Sequence, residues 1–201
     1  VEGTSVFSPI EKLVAKEKTG ISGSPVFLWA GRLNKNKDPL TVVKAFLKFS
    51  KDHVAAKLYM IYQTTELLDD VQKLIAEDSN NVNSIVLVGA IPHQEMLYWL
   101  SSADFLISGS HYEGSGTVIC EAMSCGCIPI VTDIHSFRAI TVNGECGFLY
   151  DAGNENALLS ALTVALQADT EQTRNKILHH FRKELSFEAI ARKMQELAAG
   201  L

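Results

Sequence analysis

The stretch EGSGTVICE, residues 113 to 121, opens and closes on a glutamate with only Gly, Ser, Thr, Cys and aliphatic residues between. The run ADFLISG (103–109) leads into it as a strand, and Gly114 and Gly116 permit a tight turn that lets a ligand approach the backbone. A helix is predicted from Gly116 or Thr117, which puts Glu121 about one turn in, on a face with Thr117, Val118, Ser124 and Cys125. From Gly114 through Thr132, Glu121 is the only charged side chain. A helix so poor in charge is buried on most sides, and a carboxylate there is costly unless something donates hydrogen bonds to it. Three partners meet that need: the vicinal hydroxyls of a ribose, one to each carboxylate oxygen; an Arg or Lys elsewhere in the chain; or water at an edge. Glu113, in the exposed turn, is either a ligand-facing carboxylate or an ordinary loop residue.

The second cluster is GRLNKNKDPL, after the strand-like run PVFLWAG (25–31). Asp38 and Pro39 read as an N-cap and a first helical position, where the missing N–H of proline costs nothing. Arg32, Lys35 and Lys37 therefore lie between the carboxyl end of a strand and the start of a helix, whose free N–H groups and dipole already favour anions. An Arg that grips two oxygens and mobile Lys charges suit a phosphate. A solvated basic loop is the plainer reading.

The elements that must position these residues alternate. Runs rich in Val, Ile, Leu and aromatics at 25–31, 56–62, 84–89, 103–109, 127–132 and 147–150 predict about six strands, with amphipathic stretches of helical length between them. The fold class is α/β, a Rossmann-like doubly wound parallel sheet. In such sheets ligands bind outside the carboxyl ends of the strands, where the order reverses. After Asp151 the chain reads as helical. Residues 1–20, VEGTSVFSPIEKLVAKEKTG, read as an entry segment rather than the start of a domain, residues 21–185 as one domain, and residues 186–201 as a C-terminal helix. The start at Val1 fits a piece of a longer chain.

With 201 residues, 47% of them hydrophobic, the chain can bury a substantial core. A net charge of −5 argues against a nonspecific nucleic-acid surface, which needs an excess of Lys and Arg. Cys120, Cys125, Cys127 and Cys146 form no CxxC pair and have no His at zinc-finger spacing, so they read as buried thiols of a reducing compartment. The chain has no apolar run of membrane-spanning length. GSG begins a dinucleotide fingerprint, but Ile119 stands where its third glycine belongs, and no P-loop, HExxH or GxSxG is present.

Together, GRLNKNK and EGSGTVICEAMSCGCIPIV resemble the two signatures of the C-terminal, donor-binding half of retaining GT-B glycosyltransferases, the group 1 or family 4 enzymes. The family pattern is GRL, three residues, Lys, followed later by Glu, seven residues, Glu within EGFGxxxxEAMxxGxPVI. The resemblance covers most of the chain. It implies transfer of a hexose from a nucleotide sugar, UDP-linked first and GDP- or ADP-linked as alternatives, to a carbohydrate or lipid-linked acceptor, with no cofactor and no metal. Arg32 and Lys37 would neutralise the diphosphate, in binding and as the leaving nucleotide gains charge. Glu121 would hold the ribose hydroxyls, and Glu113 with the N–H groups of Gly114, Ser115 and Gly116 would orient the sugar.

The resemblance further implies an acceptor-binding N-terminal domain absent from these residues, toward which the final helix crosses back, so that this piece alone binds donor without transferring it. The whole protein would be cytoplasmic, peripheral at the inner membrane face. A GT-B-like nucleotide-binding or scaffolding module without transfer is the alternative, though a module that had lost its donor would have no reason to keep Arg32, Lys37, Glu113 and Glu121. The chain departs from the family in YQTTELL, which lacks a Gly-rich turn after the second strand, in Ser115 where an aromatic is common, and in DIHSFRA, which puts His135 and Arg138 where many members have GGxxE. His135 faces either the donor or solvent; His179 and His180 read as solvated.

Overall fold

The computed structural model describes residues 3–78 and 83–199. Six parallel strands form one sheet: β1 (Val26–Gly31), β2 (Lys57–Tyr62), β3 (Ile85–Gly89), β4 (Phe105–Ser108), β5 (Ile128–Thr132) and β6 (Phe148–Tyr150), in the order β3-β2-β1-β4-β5-β6. Each lies inside the apolar run that predicts it, because a parallel strand covered on both faces needs continuous rather than alternating hydrophobicity. The order reverses between β1 and β4, which pair directly, Leu28 opposite Leu106. A doubly wound sheet has its crevice at this point.

The helices are α1 (Lys12–Thr19), α2 (Pro39–Asp52), α3 (Leu68–Glu77), α4 (Met96–Ser102), α5 (Thr117–Ser124), α6 (His135–Thr141), α7 (Glu155–Gln167), α8 (Thr170–His180) and α9 (Phe187–Ala199). α2 packs against α3 and α7, while α4 packs against α1 and α5, and α5 against α8, so helices flank the sheet. The core beneath α2 is aromatic. Phe27 stacks on Phe105 of the neighbouring strand at 5.0 Å and meets Phe46 and Phe49 of α2 edge-on at 5.3 and 5.5 Å, geometries favoured by the ring quadrupoles.

Within the predicted entry segment, described from residue 3, α1 forms over Lys12–Thr19. Glu11 caps α1 by accepting from the N–H groups of Leu13 and Val14, and Gly20 ends it in the left-handed region at φ 69°. The helix is tied to α4 and β4: Lys12 pairs with Asp104, Thr19 Oγ1 lies 3.1 Å from Ser102 Oγ, and Ala15 is fully buried. Its apolar positions are few, so its docking is legible only from the surface it covers.

All four cysteines are buried. Burial pushes the Cys125 thiol up to about 11 and raises Cys127 and Cys146 as well. At pH 8 only on the order of one Cys125 in a thousand would be a thiolate. We expect an aromatic disulfide reagent at pH 8 to leave native Cys125 and Cys127 unmodified over the time in which denatured protein reacts completely, read by intact mass. Rapid native labelling at either would contradict their placement. Among the described residues no helix is long and apolar enough to cross a membrane.

Candidate functional site

Two loops at the switch point carry most of the candidate residues, and they hold each other. The loop after β1 turns at Asn34, whose carbonyl and side-chain oxygens both accept the Lys37 N–H (3.1 and 3.0 Å), and buries Leu33. It enters α2 as predicted: Asp38 Oδ1 accepts the Thr41 N–H at 3.2 Å, and Pro39 opens the helix. The loop after β4 lies across it. Asn36 donates to the Tyr112 carbonyl (3.0 Å), its Oδ1 accepts the Tyr112 N–H (3.1 Å), and its own carbonyl accepts from His111 (2.8 Å). The crossing is close enough that a Cβ on Gly109 would stand 3.0 Å from the carbonyl oxygens of Lys37 and Asp38.

This contact brings Lys37 against Glu113, with which it forms an ion pair; Glu113 also accepts from Ser110 Oγ at 3.0 Å. Burial, then the neighbouring Arg32 charge, lowers the Lys37 ammonium below the ordinary lysine range, while the carboxylate in contact favours the charged form. Arg32 is exposed, and its side chain makes no hydrogen bond or ion pair among the described residues. Lys35 is exposed on the outside of the same loop.

Glu121 is 6% exposed on α5. Its partner is neither an Arg nor a Lys. His93 Nε2 lies 2.6 Å from Glu121 Oε1, on a turn of 3₁₀ helix (His93–Glu95) between β3 and α4. In the sequence His93 opens an amphipathic stretch of helical length, HQEMLYWLSS, and no motif singles it out. Its one local signal was position: a ring nitrogen just past a strand's carboxyl end, on the rim where the other candidates gather.

Arg32, Lys37 and Glu121 line one hollow of about 400 Å³ at the carboxyl ends of β1, β2 and β3. Ile61, Ile91, Met96 and Val118 supply an apolar wall, and Gln63 from the loop after β2 and His93 add polar groups. Glu113 and Gly114 face a second hollow instead, shared with His111, Tyr112, His135 and Ser136. The Lys37–Glu113 ion pair therefore joins the two, each partner lining one. Ser115 and Gly116 line neither of them. Ser115 turns its carbonyl to the Gly3 N–H at 2.6 Å, and Gly116 is buried, starting α5 at φ 60°. Arg138 is taken up on the surface by Asp133 (Nη2 to Oδ2 2.6 Å), whose carboxyl that bond holds below the usual range. His180, read as solvated, is half-buried against the Ile140 carbonyl at 3.2 Å, and burial lowers it; His179 is exposed.

A sequence model described as "Glycosyl transferases group 1" matches residues 11–183, most of the chain. The chain belongs to the group 1 glycosyl transferases. Among curated members of the family it is 27% identical over 161 residues to a Campylobacter jejuni N-acetylgalactosamine-N,N'-diacetylbacillosaminyl-diphospho-undecaprenol 4-alpha-N-acetylgalactosaminyltransferase, covering 80% of this chain and 40% of that one. It is 28% identical over 184 residues to an Escherichia coli UDP-Gal:alpha-D-GlcNAc-diphosphoundecaprenol alpha-1,3-galactosyltransferase, covering 87% and 47%. The chain thus spans less than half the length of these relatives. The solved C-terminal domain of a group 1 family protein from Francisella tularensis shares the fold, with a TM-score of 0.77 over 96% of this chain and 98% of that one at 20% identity. So does sucrose-phosphate synthase from Thermosynechococcus elongatus, with a TM-score of 0.80 over 99% and 51% at 22% identity.

Proposed function

We propose that this chain is the C-terminal, nucleotide-sugar-binding half of a retaining, family 4 hexosyltransferase that uses a UDP, GDP or ADP sugar and a carbohydrate or lipid-linked acceptor. The observation that carries the reading is the convergence of Arg32, Lys37 and Glu121 on one hollow at the switch point, beside an apolar wall. A nucleotide needs those features side by side: cations for the diphosphate, an acceptor for the ribose hydroxyls, and an apolar surface for the base.

Arg32 takes the diphosphate and, with Lys37, stabilises the charge that grows on the leaving nucleotide. Glu121 accepts from the ribose, chiefly through Oε2, since Oε1 is engaged by His93. The transferred sugar lies past the Lys37–Glu113 pair, where Glu113 and the Gly114 N–H orient its hydroxyls, with His135 at the border of that space. Ser115 and Gly116, whose amides the resemblance also assigns to the sugar, stand at the start of α5 outside the lining of that space. The retaining outcome rests on the resemblance of EGSGTVICEAM to the family signature, and the crossing of α9 to an acceptor-binding half on the resemblance of FEAIARKMQELAAG to the family's crossing segment. The exposed Phe187, Met194 and Leu197 of α9 supply an apolar face for such a crossing. Names of relatives that include diphospho-undecaprenol favour work at the inner membrane face.

Titration calorimetry of the chain with UDP, GDP and ADP tests this. At least one should bind in the micromolar to millimolar range, with UDP tried first, while the chain alone transfers no sugar from the matching donor. Absence of binding by all three removes the reading; turnover at an enzymic rate by this chain alone removes the need for an acceptor half.

A further inference from the structure

His93 has no assigned part in this reaction, yet it is the partner of the carboxylate on which the ribose reading depends. Its side chain is 68% exposed, at the rim of the hollow, while the Glu121 it touches is buried. An ionised carboxylate only accepts, so the 2.6 Å contact requires His93 Nε2–H to donate to Glu121 Oε1, in the neutral ring and the imidazolium alike. Oε2 has no hydrogen bond among the described residues, and Glu121 lines the hollow. One oxygen is held and the other is presented. Without that bond the side chain would be free to turn about three torsions on a helix that offers it no other charge.

His93 is itself backed. The Phe7 ring lies 5.3 Å from the imidazole at an interplanar angle of 31°. Phe7 belongs to an extended strap, residues 3 to 10, fastened to the body at several points. The Gly3 N–H donates to the Ser115 carbonyl (2.6 Å) and Thr4 Oγ1 to the Leu185 carbonyl (2.6 Å). Ser5 Oγ bonds Ser124 Oγ (3.1 Å), and the Ile10 N–H donates to Ser101 Oγ (3.2 Å). A strap held at both ends fixes where Phe7 sits, and Phe7 limits where the imidazole can go.

We propose that His93, backed by Phe7, is a positioning residue that holds Glu121 with Oε2 toward the nucleotide, so that ribose affinity depends on the strap. The inference rests on the ribose role given to Glu121 above.

The test compares whichever of UDP, GDP and ADP binds tightest with its 2',3'-dideoxy analogue, by calorimetry, on the chain and three variants. The unsubstituted chain should prefer the ribose form. His93→Ala should weaken the ribose nucleotide three- to tenfold and leave the dideoxy analogue unchanged. His93→Gln, whose amide can donate to Oε1, should recover most of the loss, a rescue that a purely structural role does not produce. Phe7→Ala should give a smaller loss with the same dependence on the hydroxyls, and combined with His93→Ala it should add nothing.

Equal weakening of both nucleotides by His93→Ala would make His93 a wall of the hollow and overturn the proposal, as would unchanged affinity for both or no rescue by His93→Gln. Should the unsubstituted chain bind the ribose and dideoxy forms equally, the ribose role of Glu121 itself fails, and that outcome is visible before any variant is made.

Discussion

Arg32→Ala is expected to weaken binding of the nucleoside diphosphate by more than tenfold, about 1.4 kcal/mol or more, while leaving the melting temperature of the unliganded chain unchanged. The two halves of that expectation have one cause. The guanidinium is exposed and makes no hydrogen bond or ion pair among the described residues, so nothing in the fold loses a partner when it goes. A phosphate contact from Arg is charge-assisted and forked, which puts it among the stronger hydrogen bonds. Arg32→Lys keeps the charge and loses the fork, so it should fall between.

Lys37→Ala should behave differently and serves as the contrast. It strands the part-buried Glu113, so both stability and binding should drop. Calorimetry and thermal unfolding on the three variants separate these cases. Unchanged affinity in Arg32→Ala would remove the phosphate role.

Gly116→Ala is expected to destabilise the chain by about 2 kcal/mol, roughly 4–8 °C in melting temperature for a chain of this size. Gly116 opens α5 at φ 60°, a region that costs an L-residue about 1–2 kcal/mol. A Cβ there would also stand 2.4 Å from Ile140 Cδ1, the end of a fully buried side chain with little room to retreat. Gly114, two residues earlier, has nothing within 4 Å of such a Cβ. Gly114→Ala should therefore stay within about 0.5 kcal/mol of the parent, so any loss of donor binding in it reports on the approach of ligand. Equal melting temperatures for the two variants would mean that the Gly116 turn is not held as described.

Much of this protein is written locally. The six apolar runs, the Asp38–Pro39 helix start and the helix from Thr117 depend on burial periodicity, caps and turn residues within a few positions of one another, so they can be read from the chain. The isolation of Glu121 is local too: an uncharged helix declares that its one carboxylate needs a partner. Which partner is not local. His93 reaches it across 28 residues, and Lys37 reaches Glu113 across 76. The second distance closes because β1 lies beside β4, and the first because α4, which the His93 turn leads into, packs against α5. The order of strands comes from which faces can be buried against which helices, and spacing along the chain does not carry it. The same order set Arg32 and Glu121 on one hollow and Glu113 on its neighbour. Residue chemistry could be named from the sequence; which groups meet was decided by packing, because an ion pair or hydrogen bond depends on a few ångströms that only the assembled layers determine.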